Sequence, residues 1–243
     1  MQKLIDDFFE KNQNYTITTA ANDCENITAN WVLNESLIPY LTLNLDPVPN
    51  YLAMLNEARA LDHMFVQHRG NNSHGWSSLC IHGITSQHTD HYQVYPEYAH
   101  LTNDQVPYTW TEISNFCPST VEYFKKYFPY NHYHRIRFMK LDPGGWIIPH
   151  NDSPNKNLIA INFSLNNPDN CNMCMENIGL IPFDNRGSAI MLAIGNNHSV
   201  RNYSNEPRYH LIVHGYSTDD YTNRFHELII KSYKSLTPKI VRI

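Results

Sequence analysis

Phe138-Met139-Lys140-Leu141-Asp142-Pro143-Gly144-Gly145-Trp146-Ile147-Ile148-Pro149-His150-Asn151-Asp152 joins the end of one short strand-like run, residues 135–141, to a second, residues 146–150, across four turn-forming residues. Asp, Pro and Gly each favour a turn for a separate steric reason, so the pattern predicts strand, turn, strand. In an extended chain residues two apart lie on one side, so His150 and Asp152 present an imidazole and a carboxylate to the same point. Working outward, further strands are predicted at residues 158–165, 174–181, 188–193, 198–202 and 208–214. Their dividers are Asn166-Asn167-Pro168-Asp169-Asn170, Asp184-Asn185-Arg186-Gly187, Gly195-Asn196-Asn197 and Asn205-Glu206-Pro207. No divider is long enough for a crossover helix, which predicts a jelly roll, a cupin-like double-stranded β-helix, and not a βαβ sheet.

Upstream the texture is mixed. Asn50 can cap a helix whose apolar stripe runs through Leu52, Met54, Leu55, Ala58, Leu61 and Phe65, and Pro118 opens a second that stops before Pro129. Residues 76–83 read as a short strand. The expected organisation is a helical or mixed extension (1–130) packed on a β-helix core (131–216), with a tail or helix at 217–243, in one globular unit: mainly β with flanking helices.

The chain has 243 residues, 42% of them hydrophobic and 17% charged, enough for a buried core. A net charge of −5 with no Lys/Arg cluster argues against nucleic acid and against an anionic membrane as partners. No apolar run approaches the roughly 18 residues of a membrane span. Asp6, Asp7 and Glu10 sit where a secretory signal needs a clean apolar stretch, so a cytoplasmic protein is expected. Five cysteines favour free thiols over a disulfide framework, and the lone Cys171-Asn172-Met173-Cys174 lacks the second pair of a zinc knuckle.

A metal site becomes credible through an ordered set. His-X-Asp alone is weak, and a second copy, His88-Thr89-Asp90, lacks the strand frame. His150 and Asp152 gain weight because His198 opens a later strand, completing a two-His-one-carboxylate face of the kind that leaves ferrous iron with open positions. Arg208 opens the next strand and can grip a carboxylate in two-pronged fashion. Trp146 and Ile148 share the face of His150 by the two-residue period, as cavity wall or as core. Asn202 is either a ligand-orienting group or a turn-stabilising one, His210 alternates onto the face of Arg208, and His214 is incidental.

Residues 138–150, Gly187, His198-Ser199-Val200-Arg201-Asn202 and Arg208 together resemble the aspartyl/asparaginyl β-hydroxylase family, iron(II)- and 2-oxoglutarate-dependent oxygenases that include hydroxylases of free proline. The resemblance covers about residues 133–214 and implies that His150, Asp152 and His198 bind Fe(II) and that Arg208 binds the C5 carboxylate of 2-oxoglutarate. Vertebrate-type members have a small residue where Asp152 stands. Members also tend to carry Arg or His on the strand after the His-X-Asp loop, and a small hydroxyl residue before the Pro-Gly turn, where this chain has Asn162 and Met139. The implied catalytic and cofactor groups are therefore His150, Asp152, His198 and Arg208, with Asn202, His210 and Asn162 around the co-substrate. The implied activity is hydroxylation of an aspartyl, asparaginyl or prolyl unit in a peptide, a protein or a free amino acid. Arg135 and Arg137 are either partners for a substrate carboxylate or exposed cross-strand charges. The alternatives are a cupin-type metalloenzyme that does not use 2-oxoglutarate and a non-catalytic β-sandwich that binds a ligand.

Overall fold

The computed structural model describes residues 1–12 and 27–236. Cys24 lies outside them; Cys80, Cys117, Cys171 and Cys174 are buried free thiols. The helices are α1 (Gln2–Asn12), α2 (Tyr51–Ala60), α3 (Pro118–Lys126) and α4 (Asp220–Ser235). The strands are β1 (Tyr40–Thr42), β2 (Val66–Gln67), β3 (Ser73–Gly83), β4 (Thr109–Trp110), β5 (His132–His150), β6 (Ala160–Ser164), β7 (Cys171–Met175), β8 (Gly179–Leu180), β9 (Ser188–Leu192), β10 (His198–Asn202) and β11 (Arg208–Tyr216). All pairings are antiparallel, in the order β1-β9-β6-β11-β5-β10-β7-β8, with β3 on the other edge of β5 and carrying β2 and β4. The fold is a mainly antiparallel double-stranded β-helix with flanking helices.

Three sequence expectations are corrected here. Residues 142–145 do not reverse the chain: β5 runs through them as one 19-residue strand. Its neighbours prevent the turn. On one edge His74 pairs with Trp146 and Trp76 with Leu141, so Gly75 (φ +65°) alone faces the four residues 142–145, which form a bulge. A Cβ on Gly145 would lie 2.7 Å from Asp142 O and 3.0 Å from His74 O, so the bulge has no room for a side chain there. On the other edge β5 changes partner at the bulge, from β11 (Arg208 opposite Leu141) to β10 (Arg201 opposite Trp146). The Cys171/Cys174 pair, placed in a loop ahead of a strand starting at 174, lies within β7, and that strand breaks at residues 176–178 before β8. Three residues apart on a strand, the two thiols point to opposite faces and cannot share a ligand. α2 also ends sooner than its stripe implies: Asn50 Oδ1 accepts from Ala53 N at 3.1 Å as expected, but the chain leaves the helix after Ala60.

The two-residue period sorts β5, β6, β9 and β11 into two faces. Ile136, Phe138, Ile161, Phe163, Met191, Leu211 and Val213 pack under Met54 and Leu55 of α2, Phe124 of α3 and Ile229 and Tyr233 of α4 to form the main core. The opposite face presents Arg137, Met139, Asn162, Arg208, His210, Ile212 and His214 to a cavity, closed from the other sheet by Ile147, Met173 and Val200. α1 covers the outside of that second sheet: Ile5 and Phe9 pack with Cys174, Trp146 and Ile148, and the Arg201 guanidinium lies 4.1 Å from the Phe9 ring. No helix among the described residues is long and apolar enough to cross a membrane.

Candidate metal and co-substrate site

His150 closes β5 and His198 opens β10, directly opposite each other. The strands reach this pairing through a second bulge, since Val200 faces Ile147 while His198 faces His150, so three β5 steps match two on β10. Pro149, lacking an N–H for the ladder, sits within the irregularity. The bulge shifts the side-chain parity of β5. His150 consequently joins Ile147 at the cavity, whereas Trp146 and Ile148 turn outward to α1. Trp146 and Ile148 are core residues, not cavity wall.

Both imidazoles are oriented by the backbone. His150 Nδ1 lies 2.8 Å from Ile148 O, and His198 Nδ1 lies 2.9 Å from Asn196 O. A carbonyl can only accept, so each Nδ1 carries a proton and Nε2 is the nitrogen left to face a metal. Those Nε2 atoms point at one carboxylate, His150 to Asp152 Oδ1 at 3.7 Å and His198 to Asp152 Oδ2 at 3.8 Å. One ligand atom from each of the three residues lies within 4.8 Å of the others, a spacing that can hold a metal ion, and this is the one such His/Cys/Asp/Glu group among the described residues. Burial alone would raise the Asp152 carboxyl, but the Arg69 hydrogen bond (Nη1 to Oδ1, 2.7 Å) and the nearby His198 and His150 hold it below the usual carboxylate range. Burial, then His150, pushes His198 down to about 4, so it is a neutral donor at physiological pH.

Arg208 enters the same cavity from β11. It is 8% exposed, and its guanidinium lies 5.2 Å from the Phe183 ring. Nε donates to His210 Nε2 at 2.7 Å and Nη2 lies 2.7 Å from His210 Nδ1. A neutral imidazole has one acceptor nitrogen, so only one of these contacts is a hydrogen bond at a time. Burial, then Arg208, holds His210 well below its ordinary pKa and thus neutral. Among the described residues Arg208 has no ion-pair partner, which leaves a buried positive charge facing the cavity. Asn162, on β6, lines that cavity with an amide that makes no hydrogen bond among the described residues.

Asn202 does not reach the cavity. Its Nδ2 donates to Leu141 O (3.0 Å), Asp142 O (3.2 Å) and Glu206 O (2.8 Å), and its Oδ1 accepts from Ser204, so it ties the β5 bulge to the β10–β11 turn. Because those buried carbonyls would lose their donor, Asn202→Ala is expected to cost about 2–3 kcal/mol in chemical denaturation. An unchanged midpoint would show the tie to be idle.

Several cavity residues escaped the sequence reading. His68 and Arg69, from the turn before β3, line the site, as does His214, which had been read as incidental. The spare His88-Thr89-Asp90 belongs to no group of three His, Cys, Asp or Glu with metal-holding spacing among the described residues. Thr89 Oγ1 lies 3.1 Å from His68 Nδ1, Thr89 O accepts from Arg137, and Asp90 pairs with Arg69 at 3.4 Å, so this segment braces the cavity. Burial comes first in pushing down His68 (to about 3), His210 and His214, followed by Arg137, Arg208 and Arg135 respectively. In the unfolded chain these imidazoles protonate near pH 6.5, so acid loads protons onto the unfolded state first. Metal-free stability is therefore complete above about pH 6.5 and falls as pH drops towards the folded-state values. The urea midpoint is expected to be lower at about pH 5 than at about pH 7.5; equal midpoints would contradict neutral burial.

With this geometry in hand, the comparison with families is decisive: the aspartyl/asparaginyl beta-hydroxylase model matches residues 49–217. The chain belongs to the aspartyl/asparaginyl β-hydroxylase family. The matched span holds His150, Asp152, His198 and Arg208, and it makes the protein a member of a hydroxylase family. None of the curated proteins matches the sequence significantly. Among solved structures, a Pseudomonas putida prolyl-4-hydroxylase is similar over 75% of this chain and 94% of its own, at 11% identity and a TM-score of 0.43. A Trichoplax adhaerens prolyl hydroxylase, solved with a hypoxia inducible factor peptide fragment, is similar over 81% and 91%, at 13% identity and a TM-score of 0.44.

Proposed function

We propose that this β-hydroxylase family member is an Fe(II)- and 2-oxoglutarate-dependent hydroxylase acting on an aspartyl, asparaginyl or prolyl unit, in a peptide or as a free amino acid. One observation carries the reading: the His150–Asp152–His198 group opens onto the same cavity as Arg208, a buried guanidinium with no carboxylate partner among the described residues. Two imidazoles and an ionised carboxylate suit ferrous iron, and three protein ligands leave positions free. The unpaired Arg208 suits one end of a dicarboxylate. When bound, iron and 2-oxoglutarate supply the oxidation: one oxygen atom of O2 enters a substrate C–H bond, and the other converts 2-oxoglutarate to succinate and CO2.

The chain's own groups prepare the site for that chemistry. The Ile148 and Asn196 carbonyls hold the Nε2 lone pairs on target, and Arg69 keeps Asp152 ionised. Arg208, backed by His210 and Phe183, fixes the far carboxylate. Met139, Ile147, Met173 and Val200 keep water from the reacting atoms. The test supplies Fe(II), 2-oxoglutarate and O2 with capped aspartyl, asparaginyl and prolyl peptides and the corresponding free amino acids, following succinate and substrate mass. One class is expected to gain a single oxygen atom with matching succinate; a wild type that consumes no 2-oxoglutarate under any condition would refute the reading.

A further inference from the structure

The two oxygens of Asp152 are not equivalent. Oδ1 accepts a hydrogen bond from Arg69 Nη1 at 2.7 Å, whereas Oδ2 accepts none among the described residues. Both oxygens face an imidazole, Oδ1 lying 3.7 Å from His150 Nε2 and Oδ2 3.8 Å from His198 Nε2. A carboxylate can take a metal through one oxygen or through both, and this placement by itself would permit either. The guanidinium on Oδ1 breaks the tie.

Arg69 is fixed in place from three directions. Its backbone is left-handed (φ +46°), a conformation L residues rarely adopt and one that persists where the surroundings over-determine it. Arg69 O accepts from Asn72 N at 3.0 Å and from Ser73 Oγ at 3.1 Å. Asn72 O in turn accepts from Ile148 N at 3.1 Å, which ties this turn to the end of β5 that carries His150. At the far side of the guanidinium, Asp90 Oδ1 lies 3.4 Å from both Nε and Nη2. Asp90 is itself anchored, since its Oδ1 accepts from His91 N at 2.8 Å and its N–H donates to Tyr95 Oη at 2.9 Å. An exposed ion pair alone holds geometry weakly, but a cation set between two anchored carboxylates forms a network that holds it.

We propose that Arg69 is a positioning residue for the metal, occupying Asp152 Oδ1 so that the carboxylate coordinates through Oδ2 alone, and that Asp90, outside the ligand group, holds Arg69 to this task. This rests on the hydroxylase reading and adds to it how a coordination position is kept free. Three protein donor atoms leave an octahedral ion three positions, two for a chelating 2-oxoglutarate and one for O2. A second oxygen from Asp152 would fill the last of them. The His88-Thr89-Asp90 segment, which is no part of the ligand group, thereby acts on the metal through Arg69.

The test uses the full chain loaded anaerobically with Fe(II) and 2-oxoglutarate. Nitric oxide probes the last position, and the electron paramagnetic resonance signal of its ferrous adduct is the readout. The wild type is expected to give a saturable signal. Arg69→Met is expected to need at least ~10-fold more nitric oxide for half-saturation, Asp90→Asn to shift the same way by less, and Arg69→Lys, which keeps a cationic donor, to recover part of the loss. Asp90→Asn leaves every ligand group and Arg69 in place, so it decides the matter if Arg69→Met does not load with iron. A half-saturation point unmoved in either Arg69→Met or Asp90→Asn, or one as poor in Arg69→Lys as in Arg69→Met, would overturn the proposal. Urea denaturation of the metal-free variants identifies the competing role, because a mere brace for the fold lowers the midpoint and leaves the nitric oxide response unmoved. The visible band of the Fe(II)·2-oxoglutarate complex, recorded in the same samples, separates the two failures: its absence in the wild type refutes the hydroxylase reading, whereas its presence with an unmoved nitric oxide response in the variants refutes only the role of Arg69.

Discussion

Arg208→Met is expected to raise the 2-oxoglutarate concentration needed for half-saturation by ~100-fold or more, while leaving the empty protein at least as stable as the wild type. Both effects come from the same feature. Arg208 is buried beside Phe183 and His210, with no carboxylate among the described residues to offset its desolvation. Methionine has similar length and no charge, so replacing an uncompensated buried cation by it is neutral or stabilising, by as much as about 1–4 kcal/mol. Removing one partner of a buried, hydrogen-bonded charge pair costs binding about 2–5 kcal/mol, which sets the loss in co-substrate affinity. Thermal denaturation of the metal-free protein and a 2-oxoglutarate titration of the iron-loaded protein measure the two halves. A variant that is destabilised yet binds 2-oxoglutarate normally would assign Arg208 to the scaffold.

His198→Ala is expected to abolish tight metal binding. It removes one of the three proposed ligand groups, and the two that remain lie on a single strand end and its following loop, His150 half-buried and Asp152 with 28% of its side chain exposed. Loss of groups that merely orient ligands costs about 10–100-fold in metal affinity, so loss of a ligand itself costs more. The readout is linkage. An ion at a hundred times its dissociation constant stabilises the folded state by about 2.7 kcal/mol, a shift expected in the wild type and absent in the variant. Without metal the variant is itself about 1–3 kcal/mol less stable, because Asn196 O loses its donor in a buried setting. An undiminished metal-dependent shift in His198→Ala would remove His198 from the site.

Much of the fold and of the candidate site is legible in the sequence, for identifiable reasons. Strands β6, β9, β10 and β11 start within two residues of expectation because Pro, Gly, Asn and Asp punctuate them. β1 is not legible, because Tyr40-Leu41-Thr42 is too short to show alternation, and its pairing with β9 spans the chain. His150, Asp152 and His198 stand out through their order along the chain, and they do converge. The face of Trp146 and Ile148 was misjudged because the two-residue period holds only while register holds. The bulge between His150 and Ile147 exists only relative to β10. His68, Arg69 and Arg137 gain their surroundings from β3 and the Thr89–Asp90 segment, contacts separated by 21 to 48 residues that no local pattern encodes.

The most direct test of the central claim, one cavity that binds iron through His150, Asp152 and His198 and 2-oxoglutarate through Arg208, is an anaerobic titration of the metal-free protein with Fe(II) and then 2-oxoglutarate, recorded in the visible region. The account predicts a weak charge-transfer band that saturates at one equivalent of iron per chain, vanishes in His198→Ala, and in Arg208→Met appears only at far higher 2-oxoglutarate. No band in the wild type, or an identical band in all three proteins, would contradict it.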